Sequence, residues 1–306
     1  MKIYKSFIFA SLLLVVIACS KDKELTENIE TKTNEIVFPY LDTIHVITYN
    51  VAGLPQILSS GDPVNSTSEL GRRLNNYDIV VVQEDFNYNH FLYGTTQHKY
   101  KSQWNGPVPF GDGLNTLSKY KISDFKRFKW NKCNGTDCLT PKGFSYNTIE
   151  LIDGVTFDLY NIHTNAGAEN TKDTDARKAN LIQIFEYINE NSAGRPVILM
   201  GDFNSRYTRI EDTLEVFQQL NFSDTWIDFA RSGVYPIKDG HSLMECENPS
   251  SANCETVDKI FFRSNEQVQF RILDYKKPRD EFRRDGEDLS DHIPISTLFE
   301  IKILHQ

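Results

Sequence analysis

Hydrophobic and polar positions follow two periods along this chain. A mostly apolar run from Ile8 to Ile17 comes first, preceded by Lys2 and Lys5 and followed at once by polar residues. It is too short to cross a bilayer, which takes about 20 residues, and has the form of a secretory signal. A Thr/Asn/Glu/Lys stretch to about Glu35 then carries too few apolar residues to fold alone and reads as a flexible tether. Beyond it the strand period dominates. Thr43–Asn50 is rich in β-branched residues, and Ile79–Val82 is a continuous apolar run suited to a strand buried on both faces. Phe144–Leu151 and Val155–Ile162 flank Asp153-Gly154, a hairpin turn signal. Pro196–Met200, Lys259–Arg263, Val268–Tyr275 and Ile295–Ile303 complete the predicted strands. Helical spacing appears over Thr174–Asn191, with Gly194 as its stop. Ser66-Thr67-Ser68-Glu69 has the pattern of a capping box opening a short helix toward Leu74. Strands interleaved with a few helices, some joined as hairpins, predict an α/β fold with mixed sheets. No internal repeat or second linker interrupts the pattern after residue 40, so residues 41–306 read as one domain.

Composition narrows the class. The 306 residues carry 33 Lys+Arg against 42 Asp+Glu, a net charge of -9, and 40% are hydrophobic, enough for a packed core. Acidity disfavours a protein that coats nucleic acid, since phosphate binding relies on clustered cations. The pairs Arg283-Arg284 and Lys276-Lys277 read as a solvated face. Five cysteines are present. Val16-Ile17-Ala18-Cys19 resembles the bacterial lipobox, in which the Cys is lipidated and becomes the mature N-terminus; an ordinary secretory signal with a chance Cys is the alternative. Loss of residues 1–18 would remove Lys2 and Lys5 and take the charge from -9 to -11. The expected organisation is a signal peptide over 1–18, a tether over 19–40 and a domain over 41–306, on an exported lipoprotein of the outer membrane or cell surface. Cys133, Cys138, Cys246 and Cys254 remain, an even number that suggests disulfides. Three pairings are open, the local ones Cys133–Cys138 and Cys246–Cys254 being simplest. A four-ligand zinc site is the rival, although neither pair has the tight spacing such sites use.

Polar residues collect where strands end. Asn50 closes the first strand, Gln83-Glu84-Asp85 the second, His163 the strand after the hairpin and Gly201-Asp202-Phe203-Asn204 the next. Ser290-Asp291-His292 precedes the last. Singly, Asn50, Glu84, Asp85 and His163 read as a turn residue, solvated charges and a satisfied histidine, whereas Asp202/Asn204 and Asp291/His292 stand out even alone. Together, at the carboxyl ends of an α/β sheet, they mark a site.

The motifs Thr48-Tyr49-Asn50, Gln83-Glu84, His163-x-x-Asn-Ala, Gly201-Asp202-Phe203-Asn204, Val257-Asp258-Lys259-Ile260 and Ser290-Asp291-His292 resemble those of the endonuclease/exonuclease/phosphatase superfamily. The resemblance covers nearly all of residues 43–303. It implies a four-layer α/β sandwich, two packed mixed β-sheets flanked by helices, and phosphoester hydrolysis dependent on Mg2+ or another divalent cation. It implies Asn50, Glu84 and Asp291 at the metal, His292 as general base oriented by Asp258, Asp202 positioning the water, Asn204 on the phosphate and His163 donating to it. Two segments, Tyr49-Asn50-Val51-Ala52-Gly53-Leu54-Pro55 and Cys138-Leu139-Thr140-Pro141-Lys142-Gly143-Phe144, are similar to those of neutral and bacterial sphingomyelinases. They imply a phospholipid substrate and make Lys142 a candidate phosphate contact, a surface lysine at a turn being the alternative. No exposed aromatic hairpin for entering membranes is identifiable; Trp226, Phe229 and Tyr235 read rather as core or loop packing. The expected protein is a monomeric, membrane-anchored phosphodiesterase. An extracellular nuclease resembling deoxyribonuclease I and a non-catalytic surface-binding lipoprotein are the alternatives.

Overall fold

The structure is a computed structural model that describes residues 40–304 apart from 59–61, 153, 168–169, 242–245 and 247–248. The expected signal, Cys19 of the expected lipobox and the expected tether lie outside the described residues, as does Asp153 of the hairpin turn. In chain order the elements are β1 (Tyr40–Asn50), α1 (Pro63–Arg73), β2 (Ile79–Gln83), α2 (Asn89–Thr95), β3 (Tyr100–Lys101), β4 (Asn115–Ser118), β5 (Lys121–Lys129), β6 (Gly143–Ile152) and β7 (Val155–His163). There follow α3 (Thr171–Asn191), β8 (Val197–Asp202), β9 (Ser223–Asp224), β10 (Asp258–Arg263), β11 (Val268–Lys276), a hairpin of β12 (Arg283–Arg284) and β13 (Glu287–Asp288), and β14 (Ile295–Ile303).

Two six-stranded sheets form, in the orders β11-β14-β1-β2-β4-β3 and β5-β6-β7-β8-β10-β9. Both are mixed: β1 runs parallel to β2, and β7 parallel to β8, within otherwise antiparallel neighbours. The alternation of side chains explains the layering. In β1 and β2, Ile44, Val46, Ile79 and Val81 enter the core between the sheets. Their alternates Ile47, Tyr49, Val80 and Val82 pack instead with Leu70 and Leu74 of the α1 segment and Leu92 of α2. Every residue of β2 is therefore buried, the reason its sequence is continuously apolar. On the far side, α3 covers the second sheet with Ala176, Leu181, Ile184 and Ile188. The result is helix, sheet, sheet, helix.

The strands predicted from sequence are all present, within a few residues. The capping box is not. Asp62 caps α1, accepting from the Asn65 amide, and Pro63 occupies its first turn. Ser66 and Glu69 lie inside the helix, where Glu69 pairs with Arg72 at 2.6 Å and Arg73 at 2.7 Å. Proline is favoured at the first helical position, because its missing N–H would be unpaired there anyway, so Asp62-Pro63 was the stronger start signal. The local disulfides Cys133–Cys138 and Cys246–Cys254 both form, which removes the thiolates a zinc site would need. Trp226 is buried and Tyr235, 40% exposed, packs its ring against Tyr207 at 5.3 Å, whereas Phe229 is 43% exposed.

Candidate active site

Strand register builds one half of the site. His163 is the last residue of β7 and lies opposite Asp202, the last of β8. Asp202 in turn lies opposite Asp258, the first of β10. Three adjacent strands therefore deliver three ionisable groups side by side. The other half comes from the facing sheet. Asn50 ends β1 opposite Gln83, Glu84 follows directly, and His292 precedes β14, the antiparallel neighbour of β1.

Glu84 sits at φ +56°, a left-handed conformation uncommon outside glycine, and is held there by its neighbours. Gly53 donates its amide to the Glu84 carbonyl at 3.0 Å. A Cβ at Gly53 would stand 2.5 Å from that oxygen, so only glycine lets the two segments approach. Gly201 plays the same part for β8, since its Cβ would fall 2.2 Å from the Ile162 carbonyl at φ +148°. Behind the site, Gln83 donates to Asn161 at 2.7 Å and Asn161 to the Val82 carbonyl at 2.9 Å, joining β2 of one sheet to β7 of the other.

The side chains converge. His292 Nδ1 meets Asp258 Oδ2 at 2.9 Å. Its Nε2 faces Asp202 Oδ2 at 3.7 Å and Asn50 Nδ2 at 3.4 Å. His163 Nε2 lies 3.3 Å from Asp202 Oδ2 and 3.9 Å from Glu84 Oε1. The Asn204 amide donates to Asp202 Oδ1 at 2.8 Å, while its side chain reaches the Thr164 carbonyl at 3.2 Å. Ser290, quoted only as part of a motif in the sequence, holds the assembly: its hydroxyl donates to the Asn50 carbonyl at 2.6 Å and accepts from the His292 amide at 3.3 Å.

Asn50 sits in the middle of a hydrogen-bonded cluster. Its oxygen accepts from the Ala52 amide at 3.1 Å, and its nitrogen faces Glu84 at 3.1 Å and Asp202 at 3.3 Å. Through its nitrogen, a donor, Asn50 orients these two carboxylates. Asp291 is exposed and lines, with Glu84, a cleft of about 560 Å³. Lys142 is buried, against the reading of a surface turn, and pairs with Asp137 at 2.7 Å. Of the basic pairs expected on a solvated face, Lys276 is exposed but Lys277 is buried, and Arg284 lines the same cleft as Glu84.

Charge is out of balance here. Burial pushes the Glu84 carboxyl up, with the Lys142 charge and the Asn50 hydrogen bond opposing it. Burial also pushes Asp202 up. It drives His163 well below its ordinary range, helped by the charges of Lys142 and His292, so that ring is neutral. For His292, burial opposes the charge, but the Asp258 and Asp202 carboxylates outweigh it and push the ring up to about 10. Buried carboxylates with uncompensated charge, offering hard oxygen donors, fit a divalent cation such as Mg2+. Asp202, Asp258 and His292 also offer ligand atoms within 4.8 Å of one another. In that trio, however, the imidazole Nδ1 and Asp258 already satisfy each other, which leaves Glu84 the better-suited ligand.

The geometry has counterparts among known proteins. A sphingomyelinase of Mycobacterium tuberculosis is 40% identical over 262 residues, covering 81% of this chain and 51% of the relative. The chain thus spans about half the length of the curated relatives it matches. A beta toxin variant from Staphylococcus aureus with bound magnesium ions superposes with a TM-score of 0.58 at 18% identity, over 84% of this chain and 99% of the toxin. TDP2 from D. rerio, complexed with a single-strand DNA product, gives 0.61 at 17% identity, over 84% of this chain and 98% of that one. These superpositions establish the fold. Residues 47–292 match the Endonuclease/Exonuclease/phosphatase family, and the chain belongs to it.

Proposed function

We propose that this chain is a divalent-cation-dependent phosphodiesterase of the sphingomyelinase type, hydrolysing a phospholipid by attack of an activated water. The observation that carries the reading is the His292–Asp258 pair at 2.9 Å facing Asp202 across the sheet boundary. Asp258 accepts the Nδ1 proton and fixes the tautomer, so Nε2 takes the proton from water. Asp202 orients that water, Asn204 contacts a phosphate oxygen, and the neutral His163 donates through Nε2 to the phosphoryl or leaving oxygen. Lys142, whose charge acts on the Glu84 and Asp202 carboxyls, supplies positive charge. Glu84, with Asp291 on the same cleft wall, would hold the cation. When bound, the cation would offset charge on the phosphoryl oxygens and on the carboxylates, bringing His292 down into the range where it accepts a proton. The 40% identity to sphingomyelinases supports the lipid substrate over DNA, and so does the acidic charge.

The test is a panel of sphingomyelin, glycerophospholipids, phosphoinositides and DNA, with and without Mg2+. Phosphocholine release from sphingomyelin, abolished by chelation, is expected. DNA cleavage without lipid hydrolysis would remove the reading. His292→Ala should lower turnover on the order of 10²–10⁴-fold with an unchanged circular dichroism spectrum. We also propose that Cys19 is lipidated and anchors an exported enzyme; loss of palmitate labelling in Cys19→Ser, with wild-type labelling retained, is the expected result.

A further inference from the structure

The cleft beside Glu84 poses an electrostatic problem. Among the described residues it is lined by Asp62, Glu84, Glu287, Asp288 and Asp291 and by one cation, Arg284. A phosphodiester is an anion, and it must enter among carboxylates. Arg284 projects from the β12–β13 hairpin, whose other arginine is committed. Arg283 bonds the Gly286 carbonyl and pairs with Asp288 at 3.3 Å. The neighbouring Arg279 grips Asp288 at 2.6 Å through a bidentate pair. Arg284 instead meets Asp62 of the opposite wall at 3.8 Å, beyond hydrogen-bond length. Helix α1 fixes both sides of this gap. Asp62 caps its N-terminus. At its C-terminus Arg73 bonds the carbonyls of Glu281, at 2.6 Å, and Arg283, at 2.8 Å, at the base of the hairpin.

We propose that Arg284 is a substrate-binding residue for the anionic phosphodiester, and that Asp62 competes with the substrate for it. The proposal rests on the phosphodiesterase reading above. A loose pair at the cleft mouth shields the guanidinium in the free protein. An arriving phosphodiester replaces a carboxylate held at 3.8 Å with a close, charge-assisted pair, for which a guanidinium is well shaped. The two charges therefore act on substrate in opposite directions. Removing Arg284 weakens binding; removing the Asp62 charge strengthens it.

The experiment measures KM and kcat of the Mg2+-loaded protein on sphingomyelin vesicles and on p-nitrophenylphosphocholine, a small soluble phosphodiester. Asp62→Asn deletes the charge but keeps a good helix cap. It should lower KM by about threefold, the scale of an exposed ion pair. Arg284→Gln should raise KM roughly tenfold with kcat unchanged. The double variant should have a KM close to that of Arg284→Gln alone, because Asp62 can compete with the substrate only while the arginine is present, and the asparagine keeps the cap on α1. A KM in Asp62→Asn equal to or above wild type overturns the proposal, as does an additive double variant. Thermal melting of each variant separates a folding defect from a binding one, and a structural contact alone would not give KM shifts of opposite sign. If wild type hydrolyses the soluble diester but not sphingomyelin, the lipid reading fails and the Arg284 test still stands on the soluble probe.

Discussion

His98 shows how a single buried group ties stability to pH. Its Nε2 lies 3.0 Å from the Tyr77 carbonyl, and burial pushes the ring down to about 4. The unfolded chain binds the proton more readily, so the stability this residue contributes is full above pH 6.5 and is lost as pH falls toward 4. A shift of that size is worth up to about 3 kcal/mol. In His98→Gln, urea denaturation should show a shallower loss of stability between those pH values; a slope equal to wild type would contradict the assignment. Gly53 offers a second test at this scale. Gly53→Ala must displace Glu84, and a misplacement near 1 Å costs on the order of 10²-fold in turnover. Unchanged turnover would show that Glu84 has more latitude than its backbone suggests. The residue scale is also where sequence reading was most uneven. Asp202 and His292 could be identified because their motifs carry unusual chemistry at strand ends. The orientation of Asn50 could not, since which end of an amide faces a carboxylate is decided by the Ala52 N–H two residues on. Nor could the place of Arg284, because a basic pair looks alike on a solvated face and in the lining of a cleft.

Elements were legible in proportion to their burial. Ile79–Val82 and Ile295–Ile303 were read correctly because packing on both sheet faces imposes apolar runs or strict alternation on them. β5 was missed. It is an edge strand, Lys121–Lys129, half exposed and charged along its length, as edges are when they resist pairing with other chains. The short α2 and the β12–β13 hairpin offered too few residues for a period to show. Helix α3 carries a hidden dependence that its spacing does not announce. Arg177 faces inward on it, fully buried, with Nε and Nη2 on Asp212 at 2.9 and 2.8 Å and a further bond to the Gly167 carbonyl. It ties α3 to the segment that follows Asn204. Arg177→Met would leave Asp212 with the Arg206 amide at 2.8 Å and Arg209 at 3.3 Å. The expected loss is about 3 kcal/mol in chemical denaturation, the scale of a broken buried pair; a loss below 1 kcal/mol would mean those two partners suffice.

At the scale of the molecule, a net charge of -9 sets long-range behaviour. Repulsion between this protein and a polyanion is screened by salt, so any residual DNA hydrolysis should rise between about 20 and 200 mM NaCl. A protein that binds nucleic acid by releasing counterions shows the reverse, and a steep fall in rate would sink the expectation. The architecture has a longer reach. His163, Asp202 and Asp258 belong to one sheet; Asn50, Glu84 and His292 belong to the other. The proposed base and the carboxylate that would orient it are thus contributed by different sheets, and the Gln83–Asn161 bonds close the seam between them. Neither sheet alone is a diminished catalyst; each is no catalyst at all. During refolding, secondary structure can return while turnover is still zero, and activity should reappear only as the last interface closes. Turnover is then a stringent reporter of the native state, and a half-formed chain is chemically silent.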